Sequence, residues 1–205
     1  MSSGTKGVFP GTFPVRHEIP PVYDEHSRIL ILGSFPSVKS REAGFFYGHP
    51  QNRFWKVLAA LCAGGETRIA GGTSASAAEP AVPKTAEEKK EFLLCRGIAV
   101  WDVIASCEIK GSSDQSIRNV VPNDLSPILK TADIRQIFCN GGTSYKLYEK
   151  YLREKTGREA VKLPSTSPAN AACSLERLVG LWREAGVSSE YFLPCAGHQY
   201  QAVEL

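Results

Sequence analysis

Short apolar runs alternate with amphipathic segments along most of this chain. Four such runs, each bounded by glycine or polar residues, predict buried strands. They cover residues 28–32, 98–101, 134–139 and 160–163. Between them, apolar residues recur at helical spacing and predict helices. These cover residues 52–62, 85–95, 143–155 and 174–185, and the second of them opens on a capping-box pattern, Thr85 with Glu88.

This alternation of strands and helices predicts an α/β fold with a mainly parallel sheet and right-handed crossovers. A length of 205 residues suits one domain, 1–205, with a substantial buried core. We expect residues 1–21 to be a flexible N-terminus, because they are rich in Gly, Pro and Ser. Residues 63–84 lack apolar periodicity and predict a low-complexity surface insertion.

Composition narrows the classes of function. The net charge is +3 and the pI is about 8.5, so any contact with nucleic acid must come from local clustering of charge. The six cysteines show no Cys-x-x-Cys pair and no zinc-ligand spacing, which predicts reduced thiols, no metal and no cofactor. No signal peptide or membrane-spanning run is present in the sequence, so we expect a soluble cytoplasmic protein.

The chemistry that stands out follows the first predicted strand. Residues 33–37 read Gly-Ser-Phe-Pro-Ser, and residues 45–55 carry an aromatic cluster with polar groups. Ligands of open α/β sheets bind outside the carboxyl ends of the strands, so this position predicts a site. Residues 39–56 hold four basic side chains and one acidic one, which suits flat rings and phosphates. The same aromatic residues could equally form core, with the charges as a solvated rim.

Two segments in this order resemble the motifs of one family. Residues 33–37 and 44–57 resemble the first motif and following loop of the uracil-DNA glycosylase superfamily, and residues 163–169, Leu-Pro-Ser-Thr-Ser-Pro-Ala, resemble its second motif, a loop that enters the DNA minor groove. Residues 97–103 and 137–142 resemble strand ends that line the base pocket or the DNA face. The resemblance is closest to the hypoxanthine-DNA, or DNA-deoxyinosine, glycosylases. It implies a single three-layer α/β domain with a central, mainly parallel twisted sheet flanked by helices.

The resemblance also implies an activity. We expect a monofunctional DNA repair glycosylase that flips a deaminated base out of DNA and hydrolyses its N-glycosidic bond, leaving an abasic site. Hypoxanthine is the first expected base and uracil the second. The expected partner is DNA that contains such bases, bound by a monomer in the bacterial cytosol or nucleoid. Two alternatives stay open: a mismatch-type uracil or thymine glycosylase, and a catalytically inert module that binds damaged DNA.

The catalytic residue is the open point of this resemblance. Many members carry a catalytic Asn or Asp in the first motif where this chain has Phe35. In the deoxyinosine branch the role is attributed to an Asn in the following loop, which matches Asn52. Asn52 could equally cap the predicted helix, and Asp102 is the second candidate for the catalytic role.

The resemblance assigns base binding to the first motif and the middle strand. Tyr47 occupies the aromatic position that stacks on the flipped base. Asp102 could accept a hydrogen bond from a ring N–H of the base, or could be an ordinary turn residue after a strand. The backbone N–H groups of Ser34 and Phe35 could bind a base carbonyl and stabilise the departing ring.

The second motif supplies the predicted DNA contacts. Ser165 and Ser167 could bind phosphates that flank the lesion, and the tip at Pro168 and Ala169 could enter the gap left by the flipped nucleotide. Asn140 ends a strand before paired glycines, where it could contact the DNA backbone or cap the next turn.

Overall fold

The computed structural model describes residues 13–63, 81–188 and 190–193. Its strands are β1 Phe13–Arg16, β2 Ile29–Gly33, β3 Ile98–Asp102, β4 Ile104–Ile109, β5 Arg118–Pro122, β6 Gln136–Asn140 and β7 Ala160–Leu163. Its helices are α1 Val38–Ala43, α2 Phe54–Ala63, α3 Ala86–Cys95, α4 Ser126–Thr131, α5 Gly142–Tyr151, α6 Arg153–Thr156 and α7 Leu175–Glu184, and a 3-10 turn spans Asp114–Ser116.

A four-stranded parallel sheet in the order β3-β2-β6-β7 forms the centre of the fold. All residues of β2 are buried, as expected for a parallel strand covered on both faces. The α/β class with a parallel sheet flanked by helices is therefore confirmed. The register sets Gly33 opposite Asp102 and Asn140 opposite Leu163, so the carboxyl ends of the strands meet at one edge.

Each face of the parallel sheet carries its own apolar cluster. Ile29 and Ile31 point into a cluster that contains residues of α2, α3 and α7. Leu30 and Leu32 point to the other face, where they join residues of β4, α4 and α5. This alternation along β2 follows from the two-residue period of a strand. The carboxyl ends of the parallel strands therefore lie between two packed apolar clusters.

A second sheet, antiparallel and in the order β1-β4-β5, was not predicted from the sequence. The predicted flexible N-terminus is wrong for residues 13–21, because β1 pairs with β4 from Phe13–Ile109 to Arg16–Ser106. Val22, just after that segment, forms an isolated bridge with Val100. The composition of this segment suggests a loop, but the hydrogen bonds of the β1–β4 ladder stabilise a strand. Pro14 is tolerated because β1 is an edge strand. Residues 1–12 lie outside the described residues.

The four predicted helices are present as α2, α3, α5 with α6, and α7, whereas the short helices α1 and α4 were not predicted. Thr85 Oγ1 accepts the N–H of Glu88 at 3.1 Å and the Glu88 carboxylate accepts the N–H of Thr85 at 3.3 Å, so the predicted capping box is confirmed. The predicted helix over 143–155 is interrupted at Leu152 and forms α5 and α6. Most of the predicted insertion, residues 64–80, lies outside the described residues. No described helix is long and apolar enough to cross a membrane.

Candidate functional site

A cavity of about 580 Å³ opens at the carboxyl ends of the parallel strands. The turn 33–37 after β2 and the aromatic loop at 46–52 form one side, and the strand-end residues Asp102 and Asn140 lie in its wall. The loop 165–169 after β7 and residues 109–115 around the β4–β5 connection complete the rim. The cavity is therefore formed by the loops that follow β2 and β7, by the end residues of β3 and β6, and by the loop that follows β4 of the antiparallel sheet.

The approach of β2 to β3 at the cavity wall requires glycine at position 33. A Cβ atom on Gly33 would lie 2.1 Å from Asp102 Oδ1 and 3.3 Å from the Tyr47 hydroxyl oxygen. Both polar atoms thus converge on the Gly33 backbone, directly beside the cavity. A carboxylate and a phenol from different elements share this point because strand pairing sets Asp102 opposite Gly33.

The Asp102 carboxylate forms a buried pair with His17. His17 Nε2 lies 2.8 Å from Asp102 Oδ2, and the two side chains are 1% and 6% exposed. The chain reaches this position because the β1–β4 ladder continues through a hydrogen bond from His17 N–H to the Ala105 carbonyl at 2.7 Å. Within the described residues, His17 Nδ1 is buried without a hydrogen-bond partner. One carboxylate oxygen is therefore engaged inside the protein, and the other is Oδ1 beside Gly33.

Tyr47 is held in a strained backbone conformation with φ of 53°, which is uncommon for a residue other than glycine. Its ring stacks on Phe54 with centroids 3.7 Å apart and an angle of 18° between the planes. Burial, and after it the negative charge of Asp102, raises the pKa of Tyr47 above its ordinary range. The Asn140 side chain acts in the opposite direction, but the hydroxyl makes no hydrogen bond of normal geometry with a described residue. The phenol stays protonated at neutral pH.

Asn52 belongs to a chain of hydrogen bonds that joins two loops. Its Oδ1 accepts the N–H of Phe54 at 3.0 Å and the hydroxyl of Thr166 at 2.9 Å. Asn140 forms two hydrogen bonds with the same threonine. Its Nδ2 donates to Thr166 Oγ1 at 2.9 Å, and its Oδ1 accepts the Thr166 N–H at 3.0 Å. The Asn52 oxygen thus caps the start of α2, and the amide nitrogen Nδ2 makes no hydrogen bond within the described part of the chain.

The guanidinium group of Arg53 organises the loop after β7. It donates to the carbonyl of Ser167 at 3.1 Å, to that of Asn170 at 2.9 Å, and to that of Cys173. The Arg53 N–H also donates to the Thr166 carbonyl at 3.1 Å. The positive charge predicted to attract phosphates is therefore directed at loop carbonyls.

The loop between β4 and β5 forms a wall of the cavity that the sequence did not predict. The Ser34 hydroxyl donates to Asp114 Oδ1 at 3.1 Å, and Ser112 Oγ accepts the N–H of Val38 at 2.9 Å. Burial against the wall raises the pKa of Asp114, although part of the residue stays open to solvent and the Ser34 hydrogen bond acts in the opposite direction. A second carboxyl group thus lies at the cavity, opposite the loop 165–169.

The described residues contain no group of three or more His, Cys, Asp and Glu side chains placed to bind a metal ion. The polar groups around the cavity are amides, hydroxyls and carboxylates, together with His49 at the rim. Such a set can hold a flat ring and hydrogen-bond its edge.

Comparison with protein families identifies the superfamily of this chain. Residues 20–185 match the family model described as the uracil DNA glycosylase superfamily. This chain belongs to the uracil-DNA glycosylase superfamily. Two proteins described as hypoxanthine DNA glycosylase are similar to it: one from Methanosarcina acetivorans, 31% identical over 80% of this chain and 93% of the relative, and one from Methanosarcina barkeri, 32% identical over 81% and 94%.

A solved structure supports the same superfamily. The solution NMR structure of a candidate uracil DNA glycosylase from Methanosarcina acetivorans superposes with a TM-score of 0.63 at 30% identity. The match covers 84% of this chain and 99% of the other. The likeness supports an α/β fold that is shared over most of this chain.

The superfamily motifs meet around one cavity. All the site residues predicted from the sequence line it: Ser34, Phe35, Tyr47, Asn52, Asp102, Asn140, Ser165, Ser167, Pro168 and Ala169. They converge because the motifs follow strands whose carboxyl ends share one edge. Their lining positions do not establish their roles, which stay predictions.

Three residues that contribute to the site were not predicted from the sequence. His17 precedes the matched motifs, and its pairing with Asp102 depends on β1, which was not predicted. Asp114 lies in a Ser-rich loop without a motif. Thr166 stands inside the second motif, but its role as the link between Asn52 and Asn140 is visible only in the folded chain.

Proposed function

We propose that this chain is a monofunctional DNA glycosylase that flips a deaminated base into the cavity and hydrolyses its N-glycosidic bond, leaving an abasic site. The observation that carries the proposal is the convergence of the Tyr47 ring, the Asp102 carboxylate and the loop 165–169 on one cavity at the strand ends. The names of the similar proteins favour hypoxanthine as the first base and uracil as the second. We further propose that it acts as a monomer in the cytoplasm of a bacterium.

Base recognition can follow directly from what deamination changes. Adenine and cytosine present a bare ring nitrogen, N1 or N3, whereas hypoxanthine and uracil present an N–H at the same atom. Asp102 Oδ1 can accept that hydrogen bond, and an ionised carboxylate cannot donate one. The Ser34 and Phe35 N–H groups make no hydrogen bond with described residues, so they are available to the base carbonyl and to charge that develops on the departing ring.

Asn52 is suited to orienting the attacking water and unsuited to taking its proton. Its oxygen is already occupied by two protein donors, so only Nδ2 remains, and an amide nitrogen only donates. Phe35 offers no polar group at all. The catalytic role predicted for Asp102 competes with base reading for Oδ1, because Oδ2 pairs with His17. We therefore assign Asp102 to the base, and most of the rate to leaving-group stabilisation and positioning.

A pair of Asn52 variants separates capping from catalysis. Asn52→Asp keeps an oxygen for the Phe54 N–H and the Thr166 hydroxyl but lacks Nδ2, so it should fold as the wild type and lose at least about tenfold in single-turnover cleavage, the size of a positioned polar group. Asn52→Ala should lose the same activity and also about 1 kcal/mol in the free energy of unfolding. Urea unfolding and cleavage of a deoxyinosine duplex measure both. Full activity of both variants would leave Asn52 as a cap alone, whereas activity of the Asp variant alone would mean that its carboxylate serves the water in place of Nδ2.

The DNA contact is proposed for the second-motif loop. Ser165 Oγ accepts the Ser167 N–H at 3.2 Å, and Ser167 Oγ accepts the Ala169 N–H at 3.3 Å, so both hydroxyl protons remain for phosphate oxygens. Pro168 and Ala169 form the tip between them. Asn140 is bonded to Thr166 at both ends of its amide, which supports a role in holding the loop more than a direct contact with DNA.

Substitution of Tyr47 tests whether the cavity binds the flipped base. Phe54 covers one face of the ring, which leaves the other for the flipped base. Tyr47→Ala should weaken binding of a deoxyinosine duplex and slow its cleavage together, by about 5- to 150-fold, since stacking on one base is worth about 1–3 kcal/mol. Tyr47→Phe keeps the ring and is the matched control. Fluorescence anisotropy and single-turnover cleavage measure the two effects, and wild-type values for the Ala variant would refute the stacking role.

A further inference from the structure

His17 lies outside every motif of the site and before the residues that match the family model, yet it is packed beneath the cavity. Its ring meets Phe35, Phe46 and Trp101 with centroids 6.0, 6.1 and 6.3 Å away. Phe35 and Phe46 line the cavity on their other side. The antiparallel sheet therefore inserts one polar ring into an aromatic cage, and the carboxylate of Asp102 is the polar group it meets.

The buried ring constrains its own tautomer. If Nδ1 carried the proton, an N–H group would be buried without a partner among the described residues, at a cost of about 1–3 kcal/mol. Placing the proton on Nε2 instead makes a hydrogen bond of 2.8 Å to the Asp102 carboxylate. A ring whose Nε2–H donates to Asp102 Oδ2 satisfies the geometry best.

We propose that His17 is a positioning residue that sets which bases the site accepts, by holding the Asp102 carboxylate so that its Oδ1 lies beside Gly33 and faces the base edge. The inference rests on the proposed function, since it assigns the reading of the base to Asp102. A carboxylate whose second oxygen receives the His17 N–H is an acceptor only. It accepts the ring N–H that deamination creates, and it repels the lone pair at the same atom of adenine or cytosine. Without His17, the Asp102 carboxylate would no longer be held in this orientation, and this discrimination would be lost.

Two variants separate the hydrogen bond from the packing of the ring. His17→Phe keeps an aromatic ring among Phe35, Phe46 and Trp101 but has no donor. His17→Gln loses the ring but keeps an N–H donor at the end of the side chain. The probes are two duplexes with 2′-fluorinated nucleosides that resist cleavage: deoxyinosine, with its N1–H, and deoxynebularine, whose N1 is a bare acceptor.

The wild type should bind the deoxyinosine duplex more tightly than the deoxynebularine duplex. His17→Phe should reduce that ratio at least about tenfold, the size of a lost hydrogen bond to a charged group, mainly by weakening deoxyinosine. His17→Gln should restore most of it. Equal weakening of both duplexes by His17→Phe, an unchanged ratio, or a Gln variant no better than the Phe variant would overturn the proposal. Thermal unfolding of each variant identifies loss of fold.

A second measurement does not depend on DNA. Long-range proton–nitrogen NMR correlations of the His17 ring, assigned by comparison with His17→Gln, should show the proton on Nε2 and none on Nδ1, and a proton on Nδ1 would overturn the proposal. The failure of each hypothesis is also distinct. Cleavage of deoxyinosine with no dependence on His17 would leave the glycosylase standing and remove the role of His17. A binding ratio that depends on His17, without any cleavage, would leave the role of His17 standing and remove the glycosylase activity.

Discussion

Gly33→Ala should reduce single-turnover cleavage of a deoxyinosine duplex at least about 100-fold, the largest effect we expect from one methyl group. The added Cβ would lie 2.1 Å from Asp102 Oδ1, far inside contact distance. The carboxylate cannot move aside without leaving His17, to which Oδ2 is bonded at 2.8 Å. Two hydrogen bonds of a charged group are then at risk, one to His17 and one to the base, each worth about 1.5–3 kcal/mol.

A glycine elsewhere in the chain supplies the control for this result. Gly180 lies within α7, and a Cβ there would meet no atom within 4 Å. Gly180→Ala should leave cleavage unchanged and raise the free energy of unfolding by about 0.5–1 kcal/mol, because alanine is the better helix former. Wild-type activity in Gly33→Ala would mean that the Asp102 carboxylate can move without cost, and base reading by Oδ1 would then fail.

Arg53→Met should weaken binding of an abasic-site duplex at least about tenfold and lower the free energy of unfolding by about 2–4 kcal/mol. The substitution removes a charged donor from the carbonyls of Ser167, Asn170 and Cys173, which one side chain now holds together. The loop that carries Ser165 and Ser167 then loses its fixed shape. The binding loss is expected to exceed the loss of any single phosphate contact, because the whole loop is displaced.

Arg53→Lys distinguishes shape from charge. It keeps the positive charge, but a point-like ammonium group cannot match a planar fork that serves three carbonyls, so it should recover only part of both losses. Urea unfolding gives the stability, and anisotropy with abasic-site DNA at two salt concentrations gives the binding. If lysine restored binding fully while methionine did not, Arg53 would act through its charge on the phosphates, and the loop would not need its guanidinium group.

The parallel sheet and its ligand edge were predictable from local pattern. The runs that became β2, β3, β6 and β7 are short, apolar and separated by helical periodicity, and parallel strands put their carboxyl ends at one edge. Residues that follow these strands in the sequence, such as Ser34, Asp102 and Ser165, therefore had to converge. The order of the two superfamily motifs in the sequence indicated which loops form the site. The pattern of apolar and polar residues alone does not give this.

The partners of those residues were not predictable, because they depend on pairing at long range. His17 reaches Asp102 across 85 positions through β1, a short edge strand with a proline whose composition suggests a loop. In the sequence, Arg53 cannot be distinguished from a surface charge. Only the structure shows that its guanidinium group binds carbonyl groups of the loop 165–173. Asn52 was equally a cap or a catalytic amide in the sequence. In the structure its oxygen accepts the Phe54 N–H, and its amide nitrogen makes no hydrogen bond within the described residues.

The proposed function is the removal of a deaminated base from DNA by this protein. The most direct test is a single-turnover assay of the wild-type chain with labelled duplexes that contain deoxyinosine, deoxyuridine or only normal bases, followed by alkali to reveal abasic sites. We expect cleavage of deoxyinosine first, deoxyuridine more slowly, and no cleavage of normal bases. Cleavage of deoxyuridine alone would indicate a mismatch-type uracil enzyme. Tight binding of lesion DNA by folded protein without any abasic site would contradict the claim and leave an inert binding module.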